Sequence, residues 1–177
     1  MLPTVLLLDH TQPDVAARIV ELQREAYAVE AKLIGYWMLP GLLESADDVA
    51  QLDLTILGAM LDGDLVGLIG YERVGDLVDI DRVAVHPPLF RRGFATRMIE
   101  HLHERESDAQ GFELSTGAAN HPALCLWTKM GYQLGREEDR SGVKVILLAR
   151  AAASESSGHR LPAEGASPPR TVEGGPA

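Results

Sequence analysis

Cysteine is almost absent from this 177-residue chain, in which Cys125 stands alone. A disulfide framework within the chain is thereby excluded, and so is a zinc cluster built on thiolates. Basic residues are also scarce: 16 Lys and Arg stand against 26 Asp and Glu, for a formal net charge of -10. A general nucleic-acid binder needs a basic face to displace phosphate counterions, and an anionic membrane surface asks for the same, so neither partner is expected. An acidic surface suits cationic, amine-bearing substrates instead. No apolar run approaches the roughly 20 residues that span a bilayer. Met1 to Asp9 holds a short apolar run with neither a basic flank nor a cleavage-like site, which reads as a cytoplasmic protein. The lysine-containing phosphate loop of nucleotide hydrolases is missing as well.

What is present fits one domain with a real hydrophobic core over residues 1–150, as a monomer or homodimer. Thr4 to Leu8 reads as a short buried strand. Pro13 opens a helical stripe of Val15, Ile19, Leu22, Ala26, Val29 and Leu33. Gly35 to Gly41 breaks the stripe in a bulky loop, Tyr36 to Leu39, and Ser45 caps a short helix reaching about Leu52. From Thr55 the period changes to that of strands: Thr55–Leu61, Leu65–Arg73 and Leu77–Val85, joined by turns at Asp62-Gly63-Asp64 and Gly75-Asp76. A second helix is expected over Phe94–Gln110, with Ala95, Met98, Ile99 and Leu102 inward and Gly111 as its stop. A strand Phe112–Thr116, a helix Pro122–Met130 and a hairpin of Tyr132–Arg136 with Val143–Ala149 follow. Residues 151–177 shift to Ala, Ser, Gly and Pro and read as a disordered tail. The class is mixed α/β: a meander of antiparallel strands, then a strand–helix–strand crossover that demands one parallel pair.

The most informative stretch runs Val83-Ala84-Val85-His86-Pro87-Pro88-Leu89-Phe90-Arg91-Arg92-Gly93-Phe94-Ala95-Thr96. A strand ends, a basic glycine-containing turn follows, and an amphipathic helix begins at once. The first turn of a helix exposes unpaired N–H groups at the positive end of its dipole, and the small residues Gly93 and Ala95 let an anion approach them. A pyrophosphate would fit there, and a solvated arginine corner beside a turn that needs glycine anyway is the plainer account.

The stretch resembles the pyrophosphate loop of the GNAT acetyltransferases, which runs Arg or Gln, two variable residues, Gly, a variable residue, then Gly or Ala. Gly93 and Ala95 match, Arg91 and Arg92 fill the variable positions, and Phe90 departs from the usual Arg or Gln. A second segment, Asn120-His121-Pro122-Ala123-Leu124-Cys125-Leu126-Trp127-Thr128-Lys129-Met130-Gly131-Tyr132, resembles the next part of the same family. The resemblance implies a mostly antiparallel central sheet flanked by helices, with one parallel strand pair that splays apart. It also implies acetyl-CoA as cosubstrate, held by Val83, Ala84, Val85, Arg91, Arg92, Gly93, Phe94, Ala95, Thr96, Asn120 and Trp127. A well-packed core helix explains Ala123, Trp127 and Met130 equally.

Such an enzyme would bring a neutral amine onto the thioester carbonyl. An alkylamine has a pKa of about 10 and is mostly protonated at neutral pH, so a base must take a proton. Strand alternation puts Asp79, Asp81, Val83 and Val85 on one face, and the histone-acetylating branch of the family places its glutamate base at the position of Asp79. Asp79 is therefore the first candidate base, with Asp81 and Glu72 behind it; a solvated strand residue is the alternative for each. Trp127 stands where many members carry a tyrosine acid, and an indole N–H is no proton source near neutrality. A thiol of pKa about 8.5 leaves tolerably without that acid. The family also uses a strand N–H, here near Val83 to Val85 and often freed by a bulge, to polarise the carbonyl oxygen. His101, His103 and Cys125 have no spacing that suggests metal or nucleophilic chemistry. Three readings stand: an N-acetyltransferase for a small-molecule or peptide amine, an acyl-CoA-binding regulatory module of the same fold, and an α/β domain whose arginine turn takes another phosphorylated ligand.

Overall fold

A computed structural model of the protein describes residues 3–152. Strand β1 (Thr4–Leu7) precedes the long helix α1 (Pro13–Ile34), which starts on a proline whose missing N–H would be unpaired there in any case. Gly35 ends α1 with φ 71° and gives its N–H to the Ala31 carbonyl. Two short helices follow, α2 (Pro40–Leu43) and α3 (Ala46–Ala50). The second is fixed by a reciprocal cap: Ser45 accepts from the Asp48 N–H, and the Asp48 carboxylate accepts from the Ser45 N–H.

Strands β2 (Thr55–Leu61), β3 (Asp64–Val74) and β4 (Leu77–Val85) form the expected meander. The β2–β3 turn places Asp62 and Gly63 at positive φ, the backbone that matches strand twist. A one-turn 3-10 helix (Pro87–Leu89) leads to α4 (Phe94–Arg105), then β5 (Gly111–Gly117), α5 (His121–Lys129), β6 (Gln133–Arg140) and β7 (Val143–Ala151). Among the described residues seven strands make one sheet in the order β1-β2-β3-β4-β5-β7-β6, and β4–β5 is its one parallel pair. The expected mixed α/β class holds.

Two cores sandwich the sheet. On one face α4 and α5 bury Phe94, Met98, Ile99, Leu102 and Trp127 against Ile69, Tyr71, Val78, Ile80 and Leu114. On the other, α1 and α3 bury Ile19, Leu22 and Val49 against Ile56, Leu68 and Ala84. Each fully buried Leu or Ile adds roughly 1.5–3 kcal/mol, so both helical layers are firmly tied to the sheet. Among the described residues no helix is long and apolar enough to cross a membrane.

Several expectations change. β1 is an edge strand paired only with β2, so Leu6 and Leu7 stay exposed rather than buried. Val29 and Leu33 also stay exposed: the end of α1 is covered along Ala31 and Ile34 instead, with Ile34 lying on Gly117 of β5. Pro40–Leu43, expected as loop, is helical, and Gly41 lies so close on the Tyr27 ring that a Cβ there would collide with it. α4 ends at Arg105, short of Gln110, because Ser107 and Asp108 favour turns over helix. Gly111 begins β5 instead of stopping a helix; a Cβ there would press on the Arg150 carbonyl and Leu77 at 3.2 Å. β7 runs to Ala151, one residue into the expected tail, and the rest of that tail, from residue 153 on, lies outside the described residues.

Candidate active site

The β4–β5 ladder covers only Leu77–Ile80 against Gly111–Leu114. Beyond it Asp81–Val85 and Ser115–Gly117 have no partner in each other, although β4 continues against β3 and β5 against β7. The two strands therefore open into a V with an unpaired backbone edge on either side. Such edges can pair with a ligand that carries its own amides.

The loop above the opening folds as a tight reversal. Leu89 and Phe90 donate to the carbonyls of His86 and Pro87, Arg91 takes φ 61°, and Gly93 caps α4 from φ 85°. No side chain caps this helix, so the first-turn N–H groups of Phe94, Ala95 and Thr96 have no intrahelical acceptor. Arg91, Arg92 and Arg97 are exposed and form no ion pair among the described residues. In a chain of net charge -10, three free guanidinium groups around an uncapped helix start make a local anion-attracting corner. Arg97 escaped the sequence reading; its place one turn into the helix, on the side of Gly93, was the available signal.

A bulge alters the expected face of β4. Tyr71 faces Ile80 and Gly70 faces Arg82, so Asp81 is an extra residue without a partner on β3. Alternation is reset there. Asp79 shares its face with Arg82 and Ala84, towards α1, while Val83 and Val85 turn to the α4 side with Val78 and Ile80. The expectation that Asp79, Asp81, Val83 and Val85 share one face is thus wrong. The unpaired strand residue is Asp81, ahead of the expected Val83–Val85 segment.

On the α1 face, Glu72, Asp79 and Glu113 form a row across three strands, each in register with the next. Asp79 is half-buried between two exposed carboxylates. Burial first, then the charges of Glu113, Glu72 and Asp81, push its pKa up from 3.8 to about 6, with Arg140 opposing. Asp81 is more open and accepts from Arg82 Nε at 2.7 Å. Arg82 itself is buried and reaches Glu44 with two nitrogens, at 2.7 and 3.1 Å, and Gln23 at 3.1 Å. Arg82, Glu44 and Glu113 were not singled out from the sequence, because only the register and the bulge bring them to the opening.

The last turns of α1 lie over the V. Ile34 packs on Gly117, where a Cβ would meet it at 2.7 Å. Glu30, one turn earlier, has its pKa raised by burial, and a hydrogen bond from Asn120 pulls it the other way. Asn120 also caps α5, accepting from the Ala123 N–H at 3.2 Å. Trp127 is buried, with its ring edge-on to Tyr132 at 4.8 Å, within the α4–α5 core. Ile34, Tyr36, Ala118, Ala119, Val143 and Lys144 line a hollow of about 310 Å³ at the outer end of the opening. It lies beside Tyr36 and the last hairpin.

Residues 16–132 match the family model described as "Acetyltransferase (GNAT) family". The chain is similar to the UPF0157 protein YqkA of Bacillus subtilis (strain 168), at 32% identity over 126 residues, 71% of this chain and 37% of that relative. It thus spans well under half the length of the curated relatives it matches. Among solved structures, it resembles the ribosomal-protein-S18-alanine N-acetyltransferase from Escherichia coli, with a TM-score of 0.69 and 16% identity over 90% of this chain and all of that one. The PaiA N-acetyltransferase from Thermoplasma acidophilum, in complex with coenzyme A, gives a TM-score of 0.66 at 12% identity, over 81% of this chain and 98% of that one.

Proposed function

The chain belongs to the GNAT acetyltransferase family, and from that premise we propose that it transfers an acetyl group from acetyl-CoA to a primary amine of a small molecule or peptide. The observation that carries this reading is the end of the β4–β5 ladder at Ile80 and Leu114, which leaves an opening directly below the uncapped start of α4. In this reading the first-turn amides of Phe94, Ala95 and Thr96, with Arg91, Arg92 and Arg97, hold the pyrophosphate. The free edges of Val83–Val85 and Ser115–Gly117 pair with the amides of the pantetheine arm.

Chemistry then falls at the bulge. The acceptor nitrogen attacks the thioester carbon, a C–N bond forms, the C–S bond breaks, and the thiolate leaves with its electron pair. An N–H at the Asp81 bulge polarises the carbonyl oxygen. Asp79 takes the proton of the amine, directly or through water; a folded pKa of about 6 leaves it ionised at neutral pH yet basic enough to serve. Asp81 and Glu72 are the reserve bases. The surrounding carboxylates also favour a cationic acceptor at the mouth. Trp127 supplies no acid, and the leaving thiolate, of parent pKa about 8.5, departs unassisted.

Thiol release from acetyl-CoA over a panel of alkylamines and short peptides tests the assignment. Turnover with at least one amine supports it. The buried Trp127 favours a second reading, a module of this fold that holds acyl-CoA without turnover; tight acetyl-CoA binding with no amine-dependent thiol release would select it.

A further inference from the structure

Arg82 is the one buried cation in the sheet among the described residues, and it sits next to the bulge residue Asp81. Without the extra residue, alternation from Val78 and Ile80 would drive its side chain into the apolar α4 core. The bulge instead sends it to the α1 face. There its stem runs over Gly70, where a Cβ would lie 2.8 Å from Arg82 Cγ. Its head has three side-chain partners, from the α2–α3 junction, α1 and β4 itself. Glu44, between α2 and α3, takes two of its nitrogens; Gln23 of α1 accepts a third bond; Asp81 holds Nε at 2.7 Å. Gln23 Nε2 also donates to Glu44 at 3.1 Å, so the carboxylate is held from both sides. A planar guanidinium presenting a fork to Glu44 and an edge to Asp81 fixes orientation in a way an ammonium cannot.

Resting on the acyltransfer reading above, we propose that Arg82 is a positioning residue. The Glu44–Arg82–Asp81 chain anchors the β4 bulge to the α1–α3 layer, and so fixes the angle at which the bulge N–H meets the thioester carbonyl. Arg82 does not touch the acyl donor itself; its effect passes through the main chain of Asp81.

The test needs no known acceptor. Bound acetyl-CoA labelled at the thioester carbonyl is read by isotope-edited infrared spectroscopy, alongside its dissociation constant and the melting temperature of each protein. The wild type is expected to move the carbonyl band to lower frequency than in water. Arg82→Lys, Glu44→Gln and Gly70→Ala, which displaces the arginine stem without touching a charge, return the band toward its solution position. Affinity for acetyl-CoA stays within about threefold, because the pyrophosphate loop is untouched. If Arg82→Lys fails to fold, Gly70→Ala and the paired Arg82→Met, Glu44→Met, which strands no charge between those two partners, carry the test. A wild-type band left at its solution position overturns the proposal, as does a displaced band that survives in the folded variants whatever their melting temperatures. A wild type that binds no acetyl-CoA at all removes the acyltransfer reading first, and this inference with it.

Discussion

Asp79 of β4 stands in register with Glu113 of β5 in the sheet's one parallel ladder, with Glu72 in register on its other side. Cross-strand like charges repel, and here the middle one is also half-buried. The arrangement lowers stability at neutral pH and leaves a carboxylate that binds a proton more strongly than an ordinary aspartate does. That combination is what a base at a strand opening needs.

Asp79→Asn should therefore separate stability from activity. The folded pKa of about 6 lies above the ordinary 3.8, so this group favours folding when protonated, and that contribution is lost as pH rises through about 6. At pH 8 the amide variant should melt several degrees higher, on the order of 1 kcal/mol after allowing for solvent screening. Amine-dependent turnover should fall ~100-fold or more, and the limb of the pH–rate profile that rises near pH 6 should disappear. Melting curves at pH 5 and 8, with rates across the same range, check both halves.

The three arginines of the α4 corner, which have no ion-pair partner among the described residues, predict a salt-sensitive donor site. Reversing Arg91 and Arg92 to Glu should weaken coenzyme A binding by ~10–100-fold for each guanidinium–phosphate interaction removed, and flatten its dependence on ionic strength. Calorimetric titrations at low and high salt measure this. Arg136→Glu, at an exposed ion pair on β6, is the control expected to change nothing.

Two glycines at the site should fail for different reasons. Gly93 has φ 85° and open space where a Cβ would go, so Ala there costs about 1 kcal/mol of backbone strain without a clash. At Gly117 a Cβ would strike Ile34 at 2.7 Å, and Ala should cost roughly 1–3 kcal/mol by lifting the end of α1 off β5. Denaturant midpoints of the two variants rank them.

Away from the opening, His103 lies between Phe112 and Tyr132, with the Tyr132 hydroxyl 2.9 Å from its Nε2 and the Arg150 guanidinium against the ring. Burial first, then the Arg150 charge, pushes its pKa down from 6.5 to about 4. The unfolded chain thus takes up a proton that the folded protein refuses. Stability should fall as pH drops from about 6.5 to about 4 and level off below, in so far as His103 sets it. His103→Gln should flatten that slope in melts across the interval.

Much of this architecture is written in local patterns. Asp62-Gly63, Ser45 with Asp48, Pro13 and Gly35 each fix a boundary through their own backbone chemistry, and all four appear where the sequence puts them. Two features were not legible for the same physical reason. A bulge is one residue of extra length against a partner strand, so the β4 face change at Asp81 depends on β3 and has no signature in β4 alone. The row of Glu72, Asp79 and Glu113 likewise exists only once three separate segments are in register. Val29 and Leu33 mislead in the other direction: their spacing is that of a buried stripe, but the end of α1 is covered along Ala31 and Ile34 instead.

Amide hydrogen exchange with and without coenzyme A tests the central claim most directly, because the claim concerns main-chain N–H groups. The account predicts that the ligand slows exchange at Asp81–Val85, Phe94–Thr96 and Ser115–Gly117 together, and leaves the β2–β3 and β6–β7 turns unchanged. Protection confined to other segments, or none at saturating ligand, would contradict it.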